Sequence, residues 1–226
     1  KAEADLVGFV GPDIFNITAS NLEVAINTAA SDGTSIDFSK KNYGEGLPIY
    51  EGIGGIVTVG GGGDPVVYLD MKGEMLRASG YLDVNLFSFV RMDGNLAFEK
   101  STREVTLSDK TKTNVNMLAL SGSHINAFAG VGDFGFEITD MNFAFLAMTD
   151  KGDPKRQWTS LSGNAQSVAF TGLPGIGIAG NNITLNVNFS SYDDLTVDFS
   201  AMPGFTIAGQ ELNVDFTRIK GIAGSF

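Results

Sequence analysis

Apolar residues recur at every second position through much of the chain. Leu22, Val24 and Ile26 alternate with polar neighbours, as do Leu82, Val84 and Leu86, then Ile183, Leu185 and Val187, then Leu212, Val214 and Phe216. A period of two places each set on one side of an extended backbone, which is the pattern of strands with one buried face. No stretch carries the i, i+3, i+4 stripe of an amphipathic helix. The pattern predicts an all-β protein.

Between Ser79 and Gly122 the alternation reads as a meander. Candidate strands are Tyr81–Phe87, Ser88–Met92, Leu96–Lys100, Glu104–Leu107 and Val115–Leu120, with turn chemistry at Asp93-Gly94, Ser101-Thr102 and Ser108-Asp109-Lys110. Asp-Gly is the strongest of these signals, because a tight hairpin turn needs positive φ at both central residues. Lys40–Gly46 and Thr149–Gln157 read as polar surface loops.

The chain also resembles itself. At an offset of 161 residues, Phe9-Val-Gly11 falls on Phe170-Thr-Gly172, Asn21 on Asn182, Asn27 on Asn188, and Asp37-Phe38-Ser39 on Asp198-Phe199-Ser200. Leu22, Val24 and Ile26 fall on Ile183, Leu185 and Val187, so the apolar side is kept. Beyond residue 40 the offset becomes 145, with Leu69-Asp70-Met71 on Val214-Asp215-Phe216 and Ala78 on Ala223.

A shorter unit recurs inside the long one, with Ile17 to Val24, Ile138 to Phe145 and Ile178 to Leu185 as copies, and Ile207 to Val214 as a looser fourth. Phe-x-Gly precedes the first three, at Phe9, Phe128 and Phe170. The unit reads as strand, tight corner, strand, with Asn or Gly where the backbone needs left-handed geometry. One unit cannot bury its apolar side alone, so neighbours must stack. The expected architecture is one elongated repeat region over residues 1–226, β-solenoid-like, with tandem β-sandwiches as the alternative. Residues 1–122 would form a first copy containing the 79–122 meander, and residues 123–226 further units and the start of a second copy.

Composition narrows the chemistry. The 226 residues include no cysteine and one histidine, with 15 Lys and Arg against 26 Asp and Glu. Disulfides, thiolate metal sites and cysteine nucleophiles are excluded, and a zinc site built on several imidazoles cannot be made. A net charge of −11 argues against nucleic acid, which needs clustered Lys and Arg. The most apolar stretch, Met141–Met148, is far shorter than the roughly 20 residues of a membrane helix, so no membrane insertion is expected. Lys1-Ala-Glu-Ala-Asp5 lacks the apolar core of a signal peptide.

The candidate chemical motifs each favour a structural reading. Gly130-Val-Gly132-Asp-Phe-Gly135 matches G-x-G-x-x-G, but alternating Phe136-Glu-Ile138 follows where a dinucleotide site needs a helix, so a glycine-rich corner is expected. Gly60–Asp64 occurs once, without the repetition that calcium-binding nonapeptides require, and reads as a loop. Asp150 with Asp153, and Asp193-Asp194, lack the alternate spacing of a calcium loop. Calcium between stacked units is therefore possible but unlocated. His124 in Ser121-Gly-Ser123-His124 has no nucleophile elbow and reads as a turn histidine. Trp158, after Lys155-Arg156, is expected in the core, with a sugar-stacking platform as the alternative. Asn16, Asn182 and Asn188 fit the glycosylation sequon, as chance allows in an asparagine-rich chain. No catalytic, cofactor or metal residues are assigned, and no enzyme is expected.

Phe-x-Gly followed by Ile-x-x-x-Asn and alternating apolar residues, then Gly80-Tyr-Leu-Asp-Val84 and Gly94-Asn-Leu-Ala-Phe-Glu-Lys100, resembles long tandem repeats of very large secreted bacterial surface proteins. The resemblance implies an extracellular, adhesin-like structural module and transfers no site residues. The alternative is a carbohydrate- or calcium-binding module. Ile219–Phe226 holds one charged residue, Lys220, and is expected to leave an unfinished β-edge, with a free first strand at the other end. The expected partners are neighbouring repeats or further copies of the chain.

Overall fold

The computed structural model describes residues 1–10, 15–38, 57–59, 67–69, 71, 73–87, 89–175, 177–202, 206–207, 210–211 and 221–225. Its first strands are β1 (Ala2–Val10), β2 (Phe15–Asn27), β3 (Val57–Val59), β4 (Val67–Leu69) and β5 (Met75–Leu86). The long central strands are β6 (Val90–Thr106), β7 (Lys112–Val131), β8 (Phe134–Asp150), β9 (Gln157–Thr171) and β10 (Ile178–Ser190). A 3-10 turn at Phe199–Ala201 separates them from β11 (Thr206–Ile207), β12 (Gln210–Glu211) and β13 (Gly221–Ser225). No α-helix occurs among the described residues, and the protein is all-β.

Nine strands form one open antiparallel sheet in the order β1-β2-β5-β6-β7-β8-β9-β10-β13. β3 pairs with β4, and β11 with β12, as separate two-stranded ribbons. The described residues thus pair as successive antiparallel neighbours, rather than as the coils of a solenoid or two facing sheets. β7 has 20 residues, about 65 Å of extended chain at the usual rise.

Two expected turns are not turns. Asp93-Gly94 and Ser101-Thr102 both lie inside β6, and the chain reverses instead at Phe87–Phe89, where the Phe89 N–H donates to the Leu86 carbonyl. Glycine is needed at position 94 for another reason. Its φ is 145°, and a Cβ there would lie 2.8 Å from the His124 carbonyl oxygen and 2.9 Å from the Ile125 Cα. The expected turn at Ser108–Lys110 is present, with the Lys110 N–H donating to the Leu107 carbonyl.

A band of irregularities crosses the sheet near the middle of its strands. Asn21, His124, Asp140 and Asn182 adopt φ of 53°, 52°, 47° and 53°. The register shifts between Ser20 and Glu23, between Asp93 and Asn95, and around Ile125. Asn and Asp tolerate this left-handed geometry best. Each extra residue resets the alternation. In β2, Ile17 and Ala19 face Val84 and Leu82 of β5, while Val24 and Ile26 face Ala78 and Leu76. Odd and even positions therefore share one side because Asn21 absorbs a residue. These positions were expected at corners between strands, but they lie within continuous strands. In the second unit the left-handed residue is Asp140, not Asn142.

The core occupies one side of the sheet beyond this crease. A cross-strand row of Ala25, Arg77, Glu99, Ala119, Leu146, Ser160 and Asn188 is buried throughout. Small Ala and Ser side chains let a covering segment approach closely. Two segments supply that cover. Phe38, Leu69 and Met71 pack with Ala25 and Met75 at one end. The chain after β10 covers the rest, where Leu195, Val197 and Phe199 pack with Leu107, Met117, Met148 and Trp158. Main-chain bonds fix this second segment, from Ser108 to Thr196 and from Asp198 to Thr106. Each fully buried large side chain here contributes about 1.5–3 kcal/mol.

The two ends of the sheet share a geometry. β1 meets β2 as Val7 with Ala19, Ala4 with Leu22 and Ala2 with Val24. β9 meets β10 as Val168 with Gly180, Ala165 with Ile183 and Gly163 with Leu185, the same register 161 residues on. The Asn27 side chain donates to the Ile36 carbonyl at 2.7 Å, and Asn188 to the Val197 carbonyl at 2.9 Å. β13 lies against β10 as β5 lies against β2: Asn186 faces Ala223, and Ala25 faces Arg77. This register follows an offset of 146, one residue from the 145 expected for Ala78 and Ala223.

Candidate functional site

The crease gathers a polar network from five strands. Tyr81 donates its hydroxyl to Asp93 at 3.0 Å, and the Asn126 amide donates to the same carboxylate at 3.3 Å. The backbone N–H of Asp140 donates to Asn126 Oδ1 and that of His124 to Asn142 Oδ1, at 3.1 and 3.2 Å. Asn142 in turn donates to Asn164 at 3.3 Å. A strand irregularity takes backbone N–H groups out of the ladder, and these asparagine side chains accept from them. The hydrogen bond to Asp93 raises the Tyr81 phenol pKa.

Beyond the network, an open trough of about 520 Å³ runs past Arg91, Asp93, Asn126, Phe128, Glu137 and Thr171. The Arg91 guanidinium lies 4.7 Å from the centre of the Phe128 ring. Such a surface offers hydrogen bonds and one aromatic ring to a polar ligand. Among the described residues no group of three or more His, Cys, Asp or Glu is placed to hold a metal ion.

His124 is exposed, with Nδ1 2.8 Å from Asp140 Oδ1. Ser121 is buried, and its hydroxyl has no hydrogen-bond partner. The Ser121 hydroxyl and the His124 imidazole are therefore not joined. Gly130 and Gly135 face each other beside a hairpin whose Gly132 has φ of 59°. A Cβ on either would run into the other strand. The G-x-G-x-x-G match is a glycine-rich corner, as expected.

Of the acidic clusters, Asp150 and Asp193 are held in ion pairs. Arg156 donates from one nitrogen to Asp150 and from Nε to Asp193, both at 3.0 Å. Burial pushes the Asp150 carboxyl pKa up, but the Gly152 and Asp153 N–H groups, the Thr113 hydroxyl and Arg156 outweigh it and hold it below the usual range. Asp193 is likewise raised by burial and lowered further by Ser190, Arg156 and the Leu195 N–H. Trp158 is 1% exposed, donates to the Leu195 carbonyl at 2.6 Å, and lies under Arg156. It is a core residue, and the sugar-platform alternative for it falls. Gly60–Asp64 and Lys40–Gly46 lie outside the described residues.

The remaining feature is the sheet's margins. Among the described residues, β1 and β13 are the outermost strands of the sheet. Lys1, just before β1, pairs with Glu3 and Glu23 at 3.0 and 2.8 Å, and Asp5 is exposed, whereas the uncharged Leu6 and Val7 are 68% and 45% exposed. Charged residues discourage strand addition, and an uncharged exposed stretch permits it.

Sequence reasoning named His124 and Asn142 but not the network they join. Tyr81, Asp93, Asn126 and Asn164 are brought together only by long-range strand pairing. The available signal was the recurrence of Asn and Asp inside alternating segments.

The fold describes an all-β protein with one open antiparallel sheet. Comparison with family models, curated proteins and solved structures returned no match.

Proposed function

We propose that this chain is a structural and adhesive repeat module of a large extracellular bacterial surface assembly, joined end to end through its sheet edges. The observation carrying this reading is the shared register of β1-β2-β5 and β9-β10-β13. A sheet whose last three strands repeat the arrangement of its first three extends by translation along the hydrogen-bonding direction, about 4.8 Å per strand. Elongation expected of stacked units would here come from strand addition. In this reading the chain acts without catalytic chemistry, and the buried ion pairs of Asp150 and Asp193 serve the fold.

Sedimentation velocity across a wide concentration range tests the reading. Progressive association is expected, and a strictly monomeric chain at high concentration would overturn it. Small-angle scattering should give a radius of gyration clearly above the roughly 17 Å of a compact globule of this length.

The trough beside Phe128 favours a second reading, a carbohydrate-binding module. A glycan array with the intact chain and with Phe128→Ala tests it: binding lost in the variant supports this reading. Calorimetric titration with Ca²⁺ covers the calcium alternative.

A further inference from the structure

We infer that the outer edge of β1 is a docking site for one kind of strand, with the sequence pattern of β8, in a fixed register. The inference rests on the module reading and names the partner which that reading leaves open.

β1 and β9 pair with their next strands in the same register, so β9 shows what β1 looks like with both edges filled. The other edge of β9 is filled by β8: Phe143 faces Gly163, Met141 faces Ala165, Thr139 faces Ser167 and Glu137 faces Ala169. Carried back 161 residues, this pairing sets Phe143 opposite Ala2, Met141 opposite Ala4, Thr139 opposite Leu6 and Glu137 opposite Gly8. The residue types agree at three of these four positions. Gly163, Ala165 and Ala169 are small, and so are Ala2, Ala4 and Gly8, whereas Leu6 stands where β9 has Ser167. A Cβ at Gly163 would lie 3.4 Å from the Phe143 Cβ, which shows how closely the bulky β8 side chains approach this strand. Small residues on β1 preserve that room.

Polar chemistry agrees as well. Asn142 donates its amide to Asn164 across the β8–β9 pair. Glu3 holds the Asn164 position on β1, and its carboxylate accepts the same bond. Among the described residues no strand lies on the outer side of β1. Leu6 and Val7 are exposed and uncharged, and the one like-charged meeting in this register is Asp140 with the exposed Asp5 beside them. The occupant is therefore a β8-type strand of a neighbouring repeat whose β9-side edge is unfilled, not β8 of a second folded copy of this chain, which β7 and β9 already flank. The β8–β9 pair is the pattern of the junction.

The absence of cysteine makes the register directly testable. The G8C chain is mixed with synthetic peptides of Phe134–Asp150 carrying F136C, E137C or I138C, in a glutathione redox buffer. A Cβ at Gly8 meets only Thr18 Cγ2, at 3.9 Å, so this substitution keeps the fold. Facing residues on neighbouring strands come within disulfide reach and offset ones point away, so E137C should give roughly tenfold more mixed disulfide than either neighbour. L6C with a T139C peptide should behave as a second in-register pair. Equal cross-linking at all positions, or none with either pair, overturns the inference. Sedimentation of the same G8C chain without peptide separates the two ideas: self-association with no in-register product removes the β8 assignment alone, and no association with no product removes both.

Discussion

The two ends of β5 lie on the same continuous strand but meet different surroundings. Arg77 belongs to a cross-strand row with Glu99, Ala119, Leu146 and Ser160 that is buried throughout. Asn85, on the same side of the strand, belongs to a row with Arg91, Phe128, Glu137 and Ala169 in which none is buried. Strand geometry and alternation are alike in both halves. What differs is the cover. Met71, Phe38 and Leu69 pack with Ala25 and Met75 at the β2–β5 end, and the returning segment around Leu195, Val197 and Phe199 packs on the same half further along the sheet. Neither cluster includes a residue of the other row. A single-layer sheet acquires a core only where something lies on it. The covered half thus carries the stability, and the bare half is left available for contact.

The largest test of that contrast is Trp158→Ala against Phe128→Ala. Trp158 is 1% exposed, whereas Phe128 of the bare row is half-buried. The first should cost about 3–5 kcal/mol in urea denaturation, the second about 1 kcal/mol. Equal losses would mean that the cover does not set the stability.

Next comes the anchor of the cover. Asn188 is fully buried, donates to Val197 and accepts from the Ser160 hydroxyl. Asn188→Ala should cost about 2–3 kcal/mol by stranding buried polar groups. Asn27→Ala, the corresponding change at the other end of the sheet, should cost about 1 kcal/mol. Hydrogen exchange should show the 193–202 segment opening first in Asn188→Ala.

A smaller effect is expected at the crease. Gly94→Ala must hold a side chain at a φ of 145° against the backbone of β7, at about 2 kcal/mol. Gly175→Ala has φ of 77° but open space, and should cost about 1 kcal/mol. A thermal melt of both variants measures the difference, and a Gly94→Ala chain as stable as the parent would show that the crease does not need the close approach.

The smallest effect is the pH dependence of the cover. The bond from Lys110, then that from Ser200, lowers the Asp198 carboxyl pKa to about 2 from an ordinary 3.8. A carboxylate favoured in the folded state adds stability above pH 3.8, and that contribution is lost as pH falls toward 2. Lys110 is largely exposed, so screening keeps the effect modest. The urea midpoint should drop between pH 5 and pH 2.5, and Asp198→Asn should shrink the drop.

The sequence made some of this legible for physical reasons. Alternation at Leu82, Val84 and Leu86 identifies a strand because side chains leave the backbone on alternate sides whatever the neighbours do. Asn21 and Asn182 stood out because few residues accept left-handed φ. Other features were hidden. Asp93-Gly94 carries the composition of a turn, yet the same glycine suits a strand irregularity under close approach, and only the position of Ile125 decides between them. Alternation is the same in a stacked coil, a sandwich and a single sheet, so layering could not be read. The cover at Leu195–Phe199 has no period at all, and its role comes from contacts with residues such as Leu107, far away along the chain.

The neighbour-to-neighbour order of β5 through β10 has a kinetic consequence. Each strand in this run pairs with the one made just before it, so ordering the sheet closes only short loops. Low sequence separation between contacting residues goes with fast folding, against the usual slowness of all-β proteins. Such a chain can zip up hairpin by hairpin as it emerges, with the newest strand always serving as the template for the next. The slow event would be the return of the segment carrying Val197 and Phe199 to β6, a closure across about 90 residues that waits until β10 is complete.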